Sequence, residues 1–143
     1  MKYFLGFLLG VISACDMVDD KLCVINESNN HIVLSIDKDS LVENEIVYSV
    51  KVIESDQARS DTIVFCVTEI RPGQSKKIAL PGIGNVWKRF VTDSEDETLN
   101  LFVFNRDTIL QYDYETVIDS KMYDLEQITL EELRKNNWTI KYQ

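Results

Sequence analysis

Apolar positions change their rhythm several times along this chain, and each change predicts an element. Tyr3 to Ile12 is an almost unbroken apolar run, interrupted only by Gly6 and Gly10. Its length of about 10 residues is half of the roughly 20 that a membrane-spanning helix needs. From Leu22 onward the runs are shorter. Leu22 to Asn26 is apolar and ends in the turn-forming Glu27-Ser28-Asn29-Asn30. His31 to Asp37 alternates, with Ile32, Leu34 and Ile36 on one face, which predicts a half-buried strand. Lys38 to Asn44 is a polar turn region. Glu45 to Glu54 alternates again through Ile46, Tyr48, Val50 and Val52, and Ser55 to Asp61 reads as a loop.

Thr62 to Ile70 is rich in β-branched and aromatic residues on both faces, the composition of a central strand. Arg71-Pro72-Gly73-Gln74 predicts a turn. Ser75 to Leu80 predicts a shorter strand, stopped by Pro81-Gly82. Gly84 to Glu97 is the least regular stretch. Thr98 to Phe104 returns to a strongly apolar strand. Asp113 can cap a helical turn running to Asp119. Thr129-Leu130-Glu131-Glu132 has the spacing of a capping box and predicts a helix from Leu130 to about Lys135, with Trp138 to Tyr142 as a last strand. Short strands with turns between them point to a mainly β chain: a single antiparallel β-sandwich of immunoglobulin- or transthyretin-like kind, with one or two short C-terminal helices. The domain is expected to span residues 22–143.

The leader has its own logic. Lys2 is its one charge, the apolar run follows, and Ser13 and Ala14 are small. This is the layout of a secretory signal peptide over residues 1–14. Ile12-Ser13-Ala14-Cys15 resembles the lipobox of bacterial lipoproteins. That resemblance implies cleavage before Cys15, a thioether lipid on its thiol and acylation of the new amino terminus, so that residues 15–21 form a lipidated polar tether. Several acyl chains hold a domain on a membrane stably where one does not. Asp16, Asp19 and Asp20 then resemble the acidic stretch that marks surface export in Bacteroidota-type lipoproteins. In enteric bacteria an aspartate after the cysteine implies inner-membrane retention instead. The preferred expectation is an exported chain, lipid-anchored to the outer membrane and facing the cell surface rather than the periplasm.

Charge narrows the partners. The chain carries 15 basic and 24 acidic residues, net −9, and losing Lys2 with the leader makes it about −10. Such a chain repels phosphate backbones and has no basic stripe, which argues against nucleic acid. Without Cys15, two cysteines remain in a disulfide-permissive compartment, Cys23 and Cys66. A bridge would close a loop of about 44 residues and contribute about 4 kcal/mol by chain entropy. Two buried thiols that never meet are the other reading.

The carboxyl-terminal third carries a second resemblance. Leu101-Phe102-Val103-Phe104-Asn105-Arg106-Asp107-Thr108-Ile109, Thr129-Leu130-Glu131-Glu132-Leu133 and Asn137-Trp138-Thr139-Ile140-Lys141-Tyr142 resemble the tail of small Bacteroidota-type lipoproteins. The likeness covers residues 98–142 and the leader. Those proteins usually add a proline after the tyrosine, where Gln143 stands here. The resemblance implies location and fold and transfers no catalytic residue.

No catalytic constellation emerges. His31 is the single histidine, beside a turn on the polar face of its strand, and reads as exposed. Asp93, Glu95 and Glu97 alternate like the first ligands of a calcium loop. Thr98 then occupies the glycine position and Phe104 that of the bidentate glutamate, so a solvated acidic loop fits better. Trp87, with Lys88 and Arg89 beside it, is the first candidate for a ligand contact, because an exposed tryptophan stacks on sugars and anchors interfaces. A place at the edge of the core is the competing reading. Trp138 and the Asp107-Thr108 pair read as core and turn. No cofactor is indicated. The expectation is a non-catalytic binding domain for a glycan or an envelope protein. A small carboxylate-dependent hydrolase, or a structural subunit of an outer-membrane assembly, stands as the alternative.

Overall fold

The computed structural model describes residues 18–38, 68–94 and 96–143. Among the described residues seven strands and four short helices follow one another as β1 (Val18–Asn26), β2 (Ile32–Asp37), β3 (Thr68–Ile70), β4 (Ser75–Pro81), α1 (Val86–Thr92), β5 (Thr98–Asn105), α2 (Arg106–Gln111), α3 (Tyr114–Asp119), β6 (Asp124–Thr129), α4 (Leu130–Lys135) and β7 (Thr139–Tyr142). The strands form a three-stranded sheet of order β4-β1-β7 and a four-stranded sheet of order β3-β2-β5-β6. The chain is thus mainly β, a two-sheet sandwich with short helices, as its pattern predicts. Every pair is antiparallel except β1–β7, which is parallel with Cys23 opposite Thr139 and Asn26 opposite Tyr142.

Apolar side chains fill the gap between the sheets. Leu22 and Val24 of β1 and Ile78 of β4 meet Ile32, Leu34 and Ile36 of β2 and Leu99, Leu101 and Val103 of β5. Trp87 and Val91 of α1 and Leu133 of α4 complete this core. A second, smaller cluster lies on the other face of the large sheet. There Val33, Phe102 and Phe104 are covered by Ile109 of α2 and Val117 of α3. Tyr123 packs edge-on against Phe102 at 5.6 Å. This outer layer corrects the reading of β2 as half-buried: α2 and α3 cover its second face, so Ser35 too is buried. Most of residues 62–70, read as a central strand, lies outside the described residues. Among the described residues β2 and β5 take the central places and β3 ends the sheet.

The first strand begins earlier than expected. Val18 to Lys21 belong to β1; Val18 and Asp19 pair with β4, and the ladder is irregular between Asp19 and Leu22. The polar stretch expected over residues 15–21 therefore shortens at its end, because strand pairing with Leu80 and Pro81 recruits Asp19 and Val18.

Candidate functional site

Among the described residues the large sheet ends in β6 and the small sheet in β7, and the two edges open on the same side of the sandwich. Residues directly opposite in an antiparallel pair share a face. Asp124 lies opposite Val103 and Glu126 opposite Leu101, so both carboxylates stand on the face turned toward the other sheet. Inward charges on an edge strand discourage edge-to-edge aggregation. On β7, Ile140 lies beside Val24 and Tyr142 beside Asn26, facing the same gap. The Tyr142 hydroxyl donates a hydrogen bond to Asp124 Oδ2 and so ties the two sheets at this edge. Burial, then the bond to Asp124 and the charges of Asp124 and Glu126, push the Tyr142 phenol up to about 12.

Below that tie lies a groove of about 460 Å³, walled by Glu126 and Ile128 of β6, Ile140 and Lys141 of β7, and Leu133 and Asn136 at the α4 end. Its polar groups are partly committed. The Glu132 carboxylate accepts from the Thr129 amide at 2.9 Å and the Glu132 amide donates to the Thr129 hydroxyl at 3.2 Å, the capping box that starts α4. The Thr129 amide and hydroxyl hold the Glu132 carboxyl below its usual value. Lys141 Nζ pairs with Glu27 Oε1 at 2.9 Å. Lys141 and Gln143 hold the Glu27 carboxyl low as well.

Of the two readings of Trp87 the structure supports the place in the core: the ring has no exposed surface and offers no ligand contact. Residues 86–92 form a helix rather than an irregular loop, and Trp87, Phe90 and Val91 fall at the spacing of one helical face. The indole Nε1 donates to the Ile78 carbonyl at 3.2 Å, so the ring's polar atom is satisfied inside. Phe90 meets the ring edge-on at 5.7 Å. Lys88 and Arg89 remain outside on α1, and Arg89 Nη2 donates to the Ile83 carbonyl at 2.9 Å. The Trp87 ring therefore offers no exposed face beside these two cations.

His31 is half-buried and paired rather than free: its Nε2 lies 3.1 Å from Glu69 Oε1. The same oxygen accepts from Arg106 Nε at 2.6 Å, and the Arg106 amide donates to the His31 carbonyl at 2.8 Å. This cluster ties β3 to the start of α2. All three side chains are spent on joining these elements, so the arrangement reads as structural.

Asp93 and Glu97 are exposed, Asp93 lies 3.9 Å from Lys38, and Glu95 lies outside the described residues. Among the described residues no three His, Cys, Asp or Glu side chains gather as a metal would need. Cys23 is half-buried on β1, opposite Lys77 and Thr139. Cys15 and Cys66 lie outside the described residues, and the proposed bridge with them. Among the described residues no helix is long and apolar enough to cross a membrane.

The groove residues escaped the sequence reading because β6 shows no apolar face of its own. Ile83, an aliphatic residue between Gly82 and Gly84, had a visible signal: a lone large apolar side chain at a loop tip. No protein-family model, curated protein or solved structure matches this chain.

Proposed function

We propose that the chain is an envelope lipoprotein, held by acyl chains on Cys15 to the outer membrane with its domain toward the cell surface, and that it works as a non-catalytic interaction domain. The groove between β6 and β7 carries the binding part of this reading. Both strands end their sheets among the described residues, so each offers a backbone edge to an incoming extended segment. Strand addition of this kind draws affinity from main-chain hydrogen bonds and specificity from side-chain pockets. Glu126, inward and exposed, favours a segment with cations. A protein segment is preferred to a glycan because no aromatic ring lines the groove and Trp87 is in the core.

The test places a photoactivatable residue at Gln127 or Asn136, and for comparison at Lys76 on the far edge strand. Irradiation of cells should give one adduct mass from both groove positions and none from Lys76. Absence of any adduct from correctly processed chain would remove the groove from consideration. A stoichiometric adduct from all three positions would favour a structural subunit wrapped by its assembly. The anchor has its own test: Cys15→Ser should abolish incorporation of labelled fatty acid and release the chain from membranes.

A further inference from the structure

The end of the sandwich where β1 begins carries a distinctive surface. Ile83 is 72% exposed and Val18 53%, the highest values among the large apolar side chains described. The two are neighbours, because Val18 pairs with Pro81 and Ile83 follows two residues later. Gly82 at φ 138° and Gly84 at φ 80° hold Ile83 at the tip of a tight loop. A Cβ on Gly82 would sit 3.0 Å from Val86 Cγ2, so the loop lies close on α1. From α1, Arg89 braces the tip through the Ile83 carbonyl at 2.9 Å, with exposed Lys88 beside it. The nearest acidic groups of β1 are occupied. Asp19 is paired with Lys21 at 3.1 Å and Asp20 with Lys77 at 3.4 Å. An aliphatic tip flanked by two cations thus stands on a chain of net charge −9.

Chain length says what lies next to this end. Val18 is the third residue after Cys15. At no more than about 3.6 Å per residue, the Cα of Cys15 lies within about 11 Å of that of Val18. Acyl chains on Cys15 would bring a bilayer surface to Ile83 at high effective concentration, whatever else the chain meets.

We propose that this end is a membrane-contact face: Ile83, with Val18 and Pro81, enters the interfacial layer of the bilayer while Lys88 and Arg89 meet lipid headgroup phosphates. The proposal rests on the lipid-anchor reading. It assigns to Lys88 and Arg89 a partner that needs no aromatic platform. Aliphatic tips and basic side chains partition together at the headgroup boundary, the first for its apolar area and the second for the anionic charge. It also sets the domain's attitude. β1 rises from the membrane, and its far end at Asn26 stands about 26 Å above Val18 at 3.3 Å per residue. Asn26 pairs with Tyr142, so the sheet-to-sheet tie beside the groove lies at the end away from the lipid.

The test uses the full chain, processed and purified with its acyl chains from a bacterial host, in vesicles of phosphatidylethanolamine and phosphatidylglycerol. In a Cys23→Ser, Cys66→Ser background, Ile83→Cys and Leu125→Cys each carry an environment-sensitive fluorophore. The Ile83 label should shift to the blue and be quenched by nitroxide lipids, and the Leu125 label should do neither. Water-like emission from both positions on vesicle-bound chain would overturn the proposal. So would a blue shift at Ile83 that nitroxide lipids leave unquenched, which would mark a protein contact instead. Mass analysis of the Cys15 peptide, done first, separates the two readings: an unacylated Cys15 ends the anchor reading and this one with it, whereas an acylated Cys15 with a water-exposed Ile83 ends this one alone.

Discussion

The Asp19 carboxylate caps α1 from 68 residues away. Its Oδ2 accepts the Trp87 amide hydrogen at 3.1 Å, while Asn85, at the local cap position, makes no side-chain cap bond. Partial burial raises the Asp19 carboxyl, but the Trp87 amide and Lys21 outweigh it and hold it below its ordinary 3.8. A folded-state pKa below the unfolded one means stability that is present above about pH 4 and is lost as pH falls through the folded value. Asp19→Ala should therefore cost about 1–2 kcal/mol at pH 7, as loss of a helix cap does. Urea unfolding at pH 7 and pH 3 checks it: the gap between the two proteins should shrink at the lower pH. An unchanged midpoint at pH 7 would show that the contact contributes nothing.

Trp87→Ala tests the reassignment of Trp87. The ring has no exposed surface and fills the space between α1 and both sheets. Large-to-small changes at such sites cost about 3–5 kcal/mol. A fall in melting temperature of that order is expected. A substitution with no effect on melting would restore Trp87 to the surface.

What could be read from the sequence divides along locality. Thr129-x-x-Glu132 and Asp113 announce their helices because cap and capped amide lie three residues apart. α1 went unread because its cap is on β1, although Trp87, Phe90 and Val91 already had helical spacing. β6 went unread because Asp124 and Glu126 occupy its inward positions, which reverses the pattern that identifies a strand. β2 looks half-buried from its pattern alone, because nothing in Val33 or Ser35 reveals the helical layer on that face. The groove was out of reach altogether. It depends on β7 joining β1 in parallel at the far end of the chain, a pairing that no local pattern specifies.

The opposite placement of the Ile83 loop and the Tyr142 edge has an orientational consequence. If acyl chains on Cys15 hold the Val18 end of β1 at a membrane, as proposed, the Tyr142 end of the β6–β7 edge points away from it. Protease added to intact cells should digest the chain if the anchor sits in the outer leaflet, while a periplasmic control survives. Protection until the outer membrane is broken would place the domain in the periplasm and contradict the export reading of Asp16, Asp19 and Asp20.

The tie between Tyr142 and Asp124 should show itself at alkaline pH. The phenol's folded value of about 12 lies above its ordinary 10.0. For a group whose pKa is raised by folding, the stabilisation is complete below the unfolded value and is lost as pH climbs through the folded one. The chemical reason is that ionisation removes the hydrogen Tyr142 donates and sets a phenolate against the carboxylate. Tyr142→Phe keeps the ring between the sheets and deletes only the hydroxyl, so at pH 8 it should cost about 1 kcal/mol, the net worth of such a bond. Between pH 10 and 12 the parent should lose stability faster than the variant, and the two melting curves should converge. The other tyrosines are common to both proteins, so their titration cancels in the comparison. Parallel loss of stability in both proteins across that range would mean that the hydroxyl meets water rather than Asp124, and that the two sheets are not tied at this edge.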